Sequence, residues 1–185
     1  MRIITGKLKG RRFNIPKGLD VRPTTDRAKE SIFNLIEARK YIDGSMILDL
    51  FAGSGNLGIE AISRAAKFVT FVERDPANAK LIEKLLRDFD VEDQGRVVTA
   101  DVQHFLKQPA IPQDFIFCDP PYDYPLVEEL VEEILASDWL KQEGWFILEH
   151  DKYHDFREHP KCIFEKPYGR TIISIFVHDP DEHDR

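Results

Sequence analysis

Asp119-Pro120-Pro121-Tyr122 places a carboxylate, two rigid backbone carbonyls and a phenol in four consecutive positions. It follows directly on Phe115-Ile116-Phe117-Cys118, the most apolar strand-like run of the chain, which reads as a central buried strand. Prolines donate nothing to a ladder, so the pair must leave the sheet and hold an extended backbone whose carbonyls can point into a cleft. Asp119 and the Pro120 carbonyl can then accept hydrogen bonds from both protons of an NH2 group, and Tyr122 can stack on a planar ring. Such a set suits the exocyclic amine of a nucleobase. The lone pair of that amine is delocalised into the ring, and two placed acceptors favour a more tetrahedral nitrogen aimed at an electrophile. The competing reading is a plain turn before a helix over residues 124–136.

The second stretch is Ile47-Leu48-Asp49-Leu50-Phe51-Ala52-Gly53-Ser54-Gly55-Asn56-Leu57-Gly58, 70 residues upstream from acid to acid. Ile47 to Phe51 reads as a parallel strand, the glycines as a tight turn, and Leu57 to Ile62 as the opening of a helix. Gly53, Gly55 and Gly58 spell G-x-G-x-x-G, which alone suggests a dinucleotide pyrophosphate as readily as anything else. Asp49 argues against that, because a carboxylate at the strand end repels phosphate. It suits a cationic ligand such as the amino-acid end of S-adenosylmethionine; helix capping is its structural alternative.

Further elements position these two. Phe68 to Glu73 is a second strand, and its terminal acid, 24 residues after Asp49, is placed to bind ribose hydroxyls. Pro76 opens a helix whose buried stripe is Ala79, Ile82, Leu85, Leu86 and Phe89. Arg96 to Ala100 is a third strand, after which Asp101 either accepts from an adenine amino group or caps the next helix. Trp145 to Glu149 is a fifth strand. Cys162 to Lys166 and Thr171 to Val177 form a hairpin about Pro167-Tyr168-Gly169-Arg170.

The chain has 185 residues and a net charge of −7, unpromising for a nucleic-acid binder, but the charge is unevenly spread. Residues 1–40 hold 11 Lys and Arg against 4 Asp and Glu, leaving 15 against 29 for the remainder. This asymmetry points to a polyanion-binding face on an acidic body. Arg2, Lys7, Lys9, Arg11, Arg12 and Lys17, interspersed with Gly6, Gly10 and Gly18, suggest a basic β-hairpin flanked by Ile3-Ile4 and Phe13-Ile15. Arg22-Pro23-Thr24-Thr25-Asp26-Arg27 then leads, with Thr25 or Asp26 as N-cap, into an amphipathic helix from Ala28 to Ala38.

The two cysteines, Cys118 and Cys162, lie in apolar runs without metal or redox spacing. The six histidines make no ligand set, and no metal is assigned. No run is long enough for a membrane span and the start lacks a signal-peptide pattern, so a cytoplasmic protein is expected. Residues 1–178 are read as one domain, with 179–185 as an acidic flexible tail.

The paired motifs resemble class I S-adenosylmethionine-dependent methyltransferases that act on exocyclic amines. Arg2-Ile3-Ile4, Gly6-Lys7, Lys9-Gly10-Arg11, Arg22 to Arg27, Phe33-Asn34, Leu48 to Ala61 and Asp119 to Tyr122 are together similar to the bacterial RsmD family, which methylates N2 of a guanine in 16S ribosomal RNA. The resemblance covers nearly the whole chain. It implies an α/β, Rossmann-like fold with a seven-stranded, mostly parallel sheet whose last strand is antiparallel. It implies cofactor contacts from Asp49, Phe51, Ala52, Gly53, Gly55, Glu73 and Arg74, adenine contacts from Asp101 and Val102, and Thr24 near the cofactor and target base. Asp119, Pro120, Pro121 and Tyr122 would hold the target amine. Arg2, Lys7, Lys9, Arg11, Arg12, Arg22 and Arg27 would face RNA, within a 30S particle or assembly intermediate, with the protein a monomer. Asn56 departs from the small residue expected in its turn, and Cys118 from the usual aliphatic. An adenine-N6 methyltransferase, or a non-catalytic ribosome-assembly factor with a retained cofactor fold, is the alternative.

Overall fold

The computed structural model describes residues 1–19 and 25–180. Seven strands form one sheet: β1 Met46–Leu50, β2 Phe68–Glu73, β3 Gly95–Thr99, β4 Gln113–Cys118, β5 Leu140–His150, β6 Cys162–Tyr168 and β7 Thr171–Phe176. Their order is β3-β2-β1-β4-β5-β7-β6. β1 to β5 pair in parallel, and β7 runs antiparallel to both β5 and β6. The order reverses between β1 and β4, so the crevice for a ligand opens at their carboxyl ends, where both motifs sit.

The strands alternate their burial between two layers, as a sheet covered on both faces requires. Ile47, Val69, Phe71, Phe117 and Ile147 pack in one core with residues of α1 (Asp26–Arg39), α2 (Asn56–Ser63) and α3 (Pro76–Asp88). Leu48, Leu50, Val72, Ile116 and Leu148 pack in the other with α4 (Val102–Leu106) and α5 (Val127–Ala136). Asp49 keeps the odd-numbered parity and therefore faces α2.

The caps fall where the residue types direct. Thr25 Oγ1 accepts from the Ala28 N–H at 3.1 Å, and Asp75 caps α3 with Pro76 at its first position. α5 starts at Val127 rather than at residue 124. The Pro121 carbonyl closes a turn with the Tyr124 N–H at 2.9 Å, and Pro125 disfavours helix before it. β5 begins five residues earlier than the apolar run suggests, because Leu140 pairs with Gln113 across a bulge.

The N-terminal hairpin forms, in a short version. Arg2 bridges Arg12 in antiparallel fashion, Ile3 donates to the Arg11 carbonyl and Gly10 to the Ile3 carbonyl, both at 2.9 Å, and Phe13 to the Met1 carbonyl at 3.0 Å. Several donors toward its tip go to α2 instead of a longer ladder. Ile4 and Thr5 donate to the Glu60 carboxylate at 2.9 and 3.0 Å, Leu8 to Ser63 Oγ at 3.0 Å, and Lys7 to the Ser63 carbonyl at 2.8 Å. Gly6, at φ +88°, lies so close that a Cβ would stand 1.8 Å from the Ser63 carbonyl oxygen. The basic segment is thus a short hairpin whose tip is docked on α2. The acidic tail from residue 181 and the positions of Arg22 and Thr24 lie outside the described residues.

Candidate active site

The turn after β1 is tied to the end of β2. Phe51 and Gly53 both take left-handed backbone, at φ 55° and 58°, which for phenylalanine is a strained state of the kind found at ligand clamps. Ala52 donates to the Val72 carbonyl at 3.0 Å, and Gly53 donates to Glu73 Oε2 at 2.8 Å. The other oxygen of Glu73 accepts the Asp75 N–H at 2.8 Å. Each carboxylate oxygen has a second lone pair, so Glu73 retains acceptor capacity toward a ligand.

Asp49 Oδ2 accepts the Gly58 N–H at 3.0 Å. Glycine is required there: a Cβ would lie 2.2 Å from the Phe71 ring and 2.9 Å from that same carboxylate oxygen. Burial pushes the Asp49 carboxyl well above the usual range; the Gly58 N–H opposes this, and the charges of Asp119 and Glu73 add to it.

Asp49 and Glu73 wall a cavity of about 200 Å³, lined also by Phe51, Ala52, Gly53, Arg74, Asp101, Val102, Asp119, Pro120 and Pro121. Five carboxylates (Asp49, Glu73, Asp75, Asp101 and Asp119) face one guanidinium, Arg74. A pyrophosphate would be repelled; a ligand carrying a sulfonium and an ammonium would be attracted. The positive-φ turn, the acid at the end of β2 and the acidic lining fit S-adenosylmethionine.

Asp101 serves the structural role of its two readings through one oxygen: Oδ1 accepts from Gln103 and His104 at 2.9 and 3.3 Å, while the residue still lines the cavity. Gly55 does not line it. At φ +76° it turns inward, and a Cβ would meet the Ile82 side chain at 3.2 Å. Tyr122 is also absent from the wall and is 47% exposed just past Pro121, placed for a ring arriving from outside. Cys118 is buried behind the motif, its thiol pushed well up first by burial and then by Asp119.

Of the basic residues, Lys7, Lys9, Arg11, Arg12 and Arg27 are exposed. Lys7 donates to Gln94 at 2.7 Å, Arg11 lies over the Phe89 ring at 5.6 Å, and Arg2 pairs with Asp26 at 3.1 Å. Sequence reasoning missed Ser54, Asn56, Leu57, Val72, Asp75 and Asn78 in the wall; of these Asp75, directly before Pro76, carries a signal, that of an N-cap. It also missed the reason for Asn56. The Oδ1 of Asn56 accepts from buried Lys29 Nζ at 2.8 Å, and the same ammonium pairs with Glu60 at 3.1 Å.

The family model described as conserved hypothetical protein 95 matches residues 1–177. Ribosomal RNA small subunit methyltransferase D of Haemophilus influenzae is 39% identical over 155 residues, spanning 82% of this chain and 79% of its own. YlbH of Bacillus subtilis is 36% identical over 182 residues, spanning 95% and 98%. The solved yhhF structure from Escherichia coli aligns with a TM-score of 0.83 at 33% identity, covering 95% of this chain and 96% of that one.

Proposed function

The chain belongs to the RsmD family of small-subunit ribosomal RNA methyltransferases, and we propose that it methylates the exocyclic N2 amine of a guanine in 16S ribosomal RNA. The observation that carries this reading is the joint placement of Asp49 and Asp119 in one acidic cavity at the carboxyl ends of the two central strands. When bound, S-adenosylmethionine supplies a methyl group made electrophilic by its sulfonium. Asp49 faces the ammonium of the amino-acid end, Glu73 the ribose, and Asp101 with Val102 the adenine. Asp119 and the Pro120 carbonyl accept hydrogen bonds from the two amine N–H groups and orient the nitrogen lone pair at the methyl. Tyr122 stacks on the guanine. The nitrogen would attack the methyl carbon directly as its bond to sulfur breaks, leaving S-adenosylhomocysteine and releasing one amine proton to solvent, so no covalent enzyme intermediate is needed.

Arg2, Lys7, Lys9, Arg11, Arg12, Arg22 and Arg27 are assigned to the RNA backbone, with Thr24 near the cofactor. Residues 1–178 act as one domain, as a monomer in the cytoplasm, on RNA within a 30S particle or assembly intermediate.

The test is transfer of labelled methyl from S-adenosylmethionine to 30S particles from a strain lacking the gene. Naked 16S RNA and DNA run in parallel, with digestion of the product to nucleosides. Label in N2-methylguanosine is expected; label in N6-methyladenosine would keep the chemistry and replace the substrate. Asp119→Ala is expected to abolish transfer while retaining cofactor binding, and loss of that binding would refute the role assigned to Asp119.

A further inference from the structure

Asn78 sits on the first turn of α3, only 3% exposed. Its Oδ1 is buried and has no hydrogen-bond partner among the described residues. The apolar residues of the same helix, Ala79, Ile82, Leu85 and Leu86, fill the core around it. A carboxamide oxygen buried without a donor costs about 1–3 kcal/mol, and polar groups left in that state in native structures call for an explanation.

The location of Asn78 supplies one. The residue lines the same cavity as Gly53, Glu73 and Asp119. Ile82, one helical turn further on, packs against the glycine turn at Gly55. Asn78 lies four residues earlier on that face, so it is directed at the cavity end of the turn. It follows Glu73 by five residues, in the first turn of the helix that leaves β2. The Oδ1 of Asn78 lacks a donor among the described residues, and a ribose hydroxyl is one.

We propose that Asn78 is a cofactor-contacting residue whose Oδ1 accepts a hydrogen bond from a ribose hydroxyl, beside Glu73. The inference rests on the methyltransferase reading and deepens it. The cofactor completes a hydrogen bond that the protein leaves open. In its absence the open acceptor destabilises the fold, and that cost is removed on binding.

The experiment uses the full chain, with S-adenosylhomocysteine and its 2′-deoxy and 3′-deoxy ribose analogues as probes, read by calorimetry. Asn78→Leu is expected to weaken S-adenosylhomocysteine about tenfold, as loss of one ligand hydrogen bond implies. Its melting temperature without ligand should be equal to or above that of the wild type, because an unsatisfied buried amide has been replaced by an apolar group of similar size. The wild type should lose affinity for one deoxy analogue, and Asn78→Leu should bind that analogue and the parent alike.

Asn78→Ala gives the same cycle should the melting curve show Asn78→Leu misfolded. Wild-type affinity in both variants, or an equal loss for the parent and both deoxy analogues, would overturn the proposal while leaving the proposed function standing. A wild type that binds no S-adenosylhomocysteine would overturn both.

Discussion

Lys29→Met tests whether one buried ammonium joins the basic loop to the cavity. Lys29 and Glu60 are both 0% exposed in their side chains and lie 3.1 Å apart. The ammonium also donates to the Arg2 carbonyl at 2.7 Å and to Asn56 Oδ1 at 2.8 Å. Burial pulls the Lys29 pKa down, and Glu60 opposes that shift. Methionine keeps the length of the chain but takes this donor away from all three acceptors. Glu60 would retain Arg64, at 3.0 Å, as its remaining cation. Removing one partner of a buried pair costs about 3–5 kcal/mol, a large share of a total stability of roughly 5–15 kcal/mol. For a chain of this length that is a fall in Tm of about 6–20 °C.

The assay is urea unfolding of wild type, Lys29→Met, Glu60→Gln and the double variant, with ΔG taken from midpoint and slope. In the double variant no charge is stranded, and the introduced carboxamide still offers an oxygen to Ile4 or Thr5. It should therefore be more stable than the sum of the single losses implies, by about 1–3 kcal/mol. A loss under about 1 kcal/mol for Lys29→Met, or strict additivity, would refute the network as described.

Three further outcomes are expected. Asp49, held protonated to higher pH in the free protein, must ionise to meet a cationic ligand. Affinity for S-adenosylhomocysteine should fall as pH drops through its raised pKa, with proton release on binding detected by calorimetry in buffers of different ionisation enthalpy; Asp49→Asn should abolish that release. Gly6→Ala forces a Cβ to 1.8 Å from the Ser63 carbonyl, so it should loosen the loop and reduce RNA methylation while leaving S-adenosylhomocysteine affinity unchanged. Lys9→Ala with Arg12→Ala should lower the slope of log affinity against log salt for a 16S fragment by about 1.4–1.8, if both cations contact phosphates, as measured by fluorescence anisotropy.

Much of the sheet is legible locally. β2 runs from Phe68 to Glu73 as its apolar pattern and terminal acid indicate, and β4 is central because its residues are apolar on both faces. Asp49, Glu73 and Asp119 are legible as well, since Asp49 interrupts an apolar run and Glu73 and Asp119 end one, where a carboxylate is otherwise out of place. Lys29, Asn56, Glu60 and Asn78 are not. On a helix such residues read as solvated, and only tertiary packing brings Lys29 within reach of an acid 31 positions along the chain. Gly55 misleads for the opposite reason: its motif position suggests a ligand, whereas its empty Cβ position faces Ile82. The N-terminal hairpin is legible but its docking is not: Glu60 and Ser63 take backbone donors near its tip, and nothing in residues 1–18 records those partners.

α2 explains how an acidic protein can work on a polyanion. All eight of its residues are buried. Asn56 and Leu57 line the cavity, the Gly58 N–H holds Asp49, and Glu60 and Ser63 hold the loop that carries Lys7, Lys9, Arg11 and Arg12. The helix is about 12 Å long, so the cations and the methyl-donor cavity are set at a fixed, short separation. The cavity itself presents five carboxylates. Under the proposed function, phosphates would be drawn to these cations and repelled from the cavity, which suits a neutral base and a cationic cofactor. A nucleotide held by its backbone at the loop can therefore lower its electrostatic energy by turning the base, and not the phosphate, toward Asp119. Spreading the same charges evenly would leave the net −7 unchanged and remove that sorting.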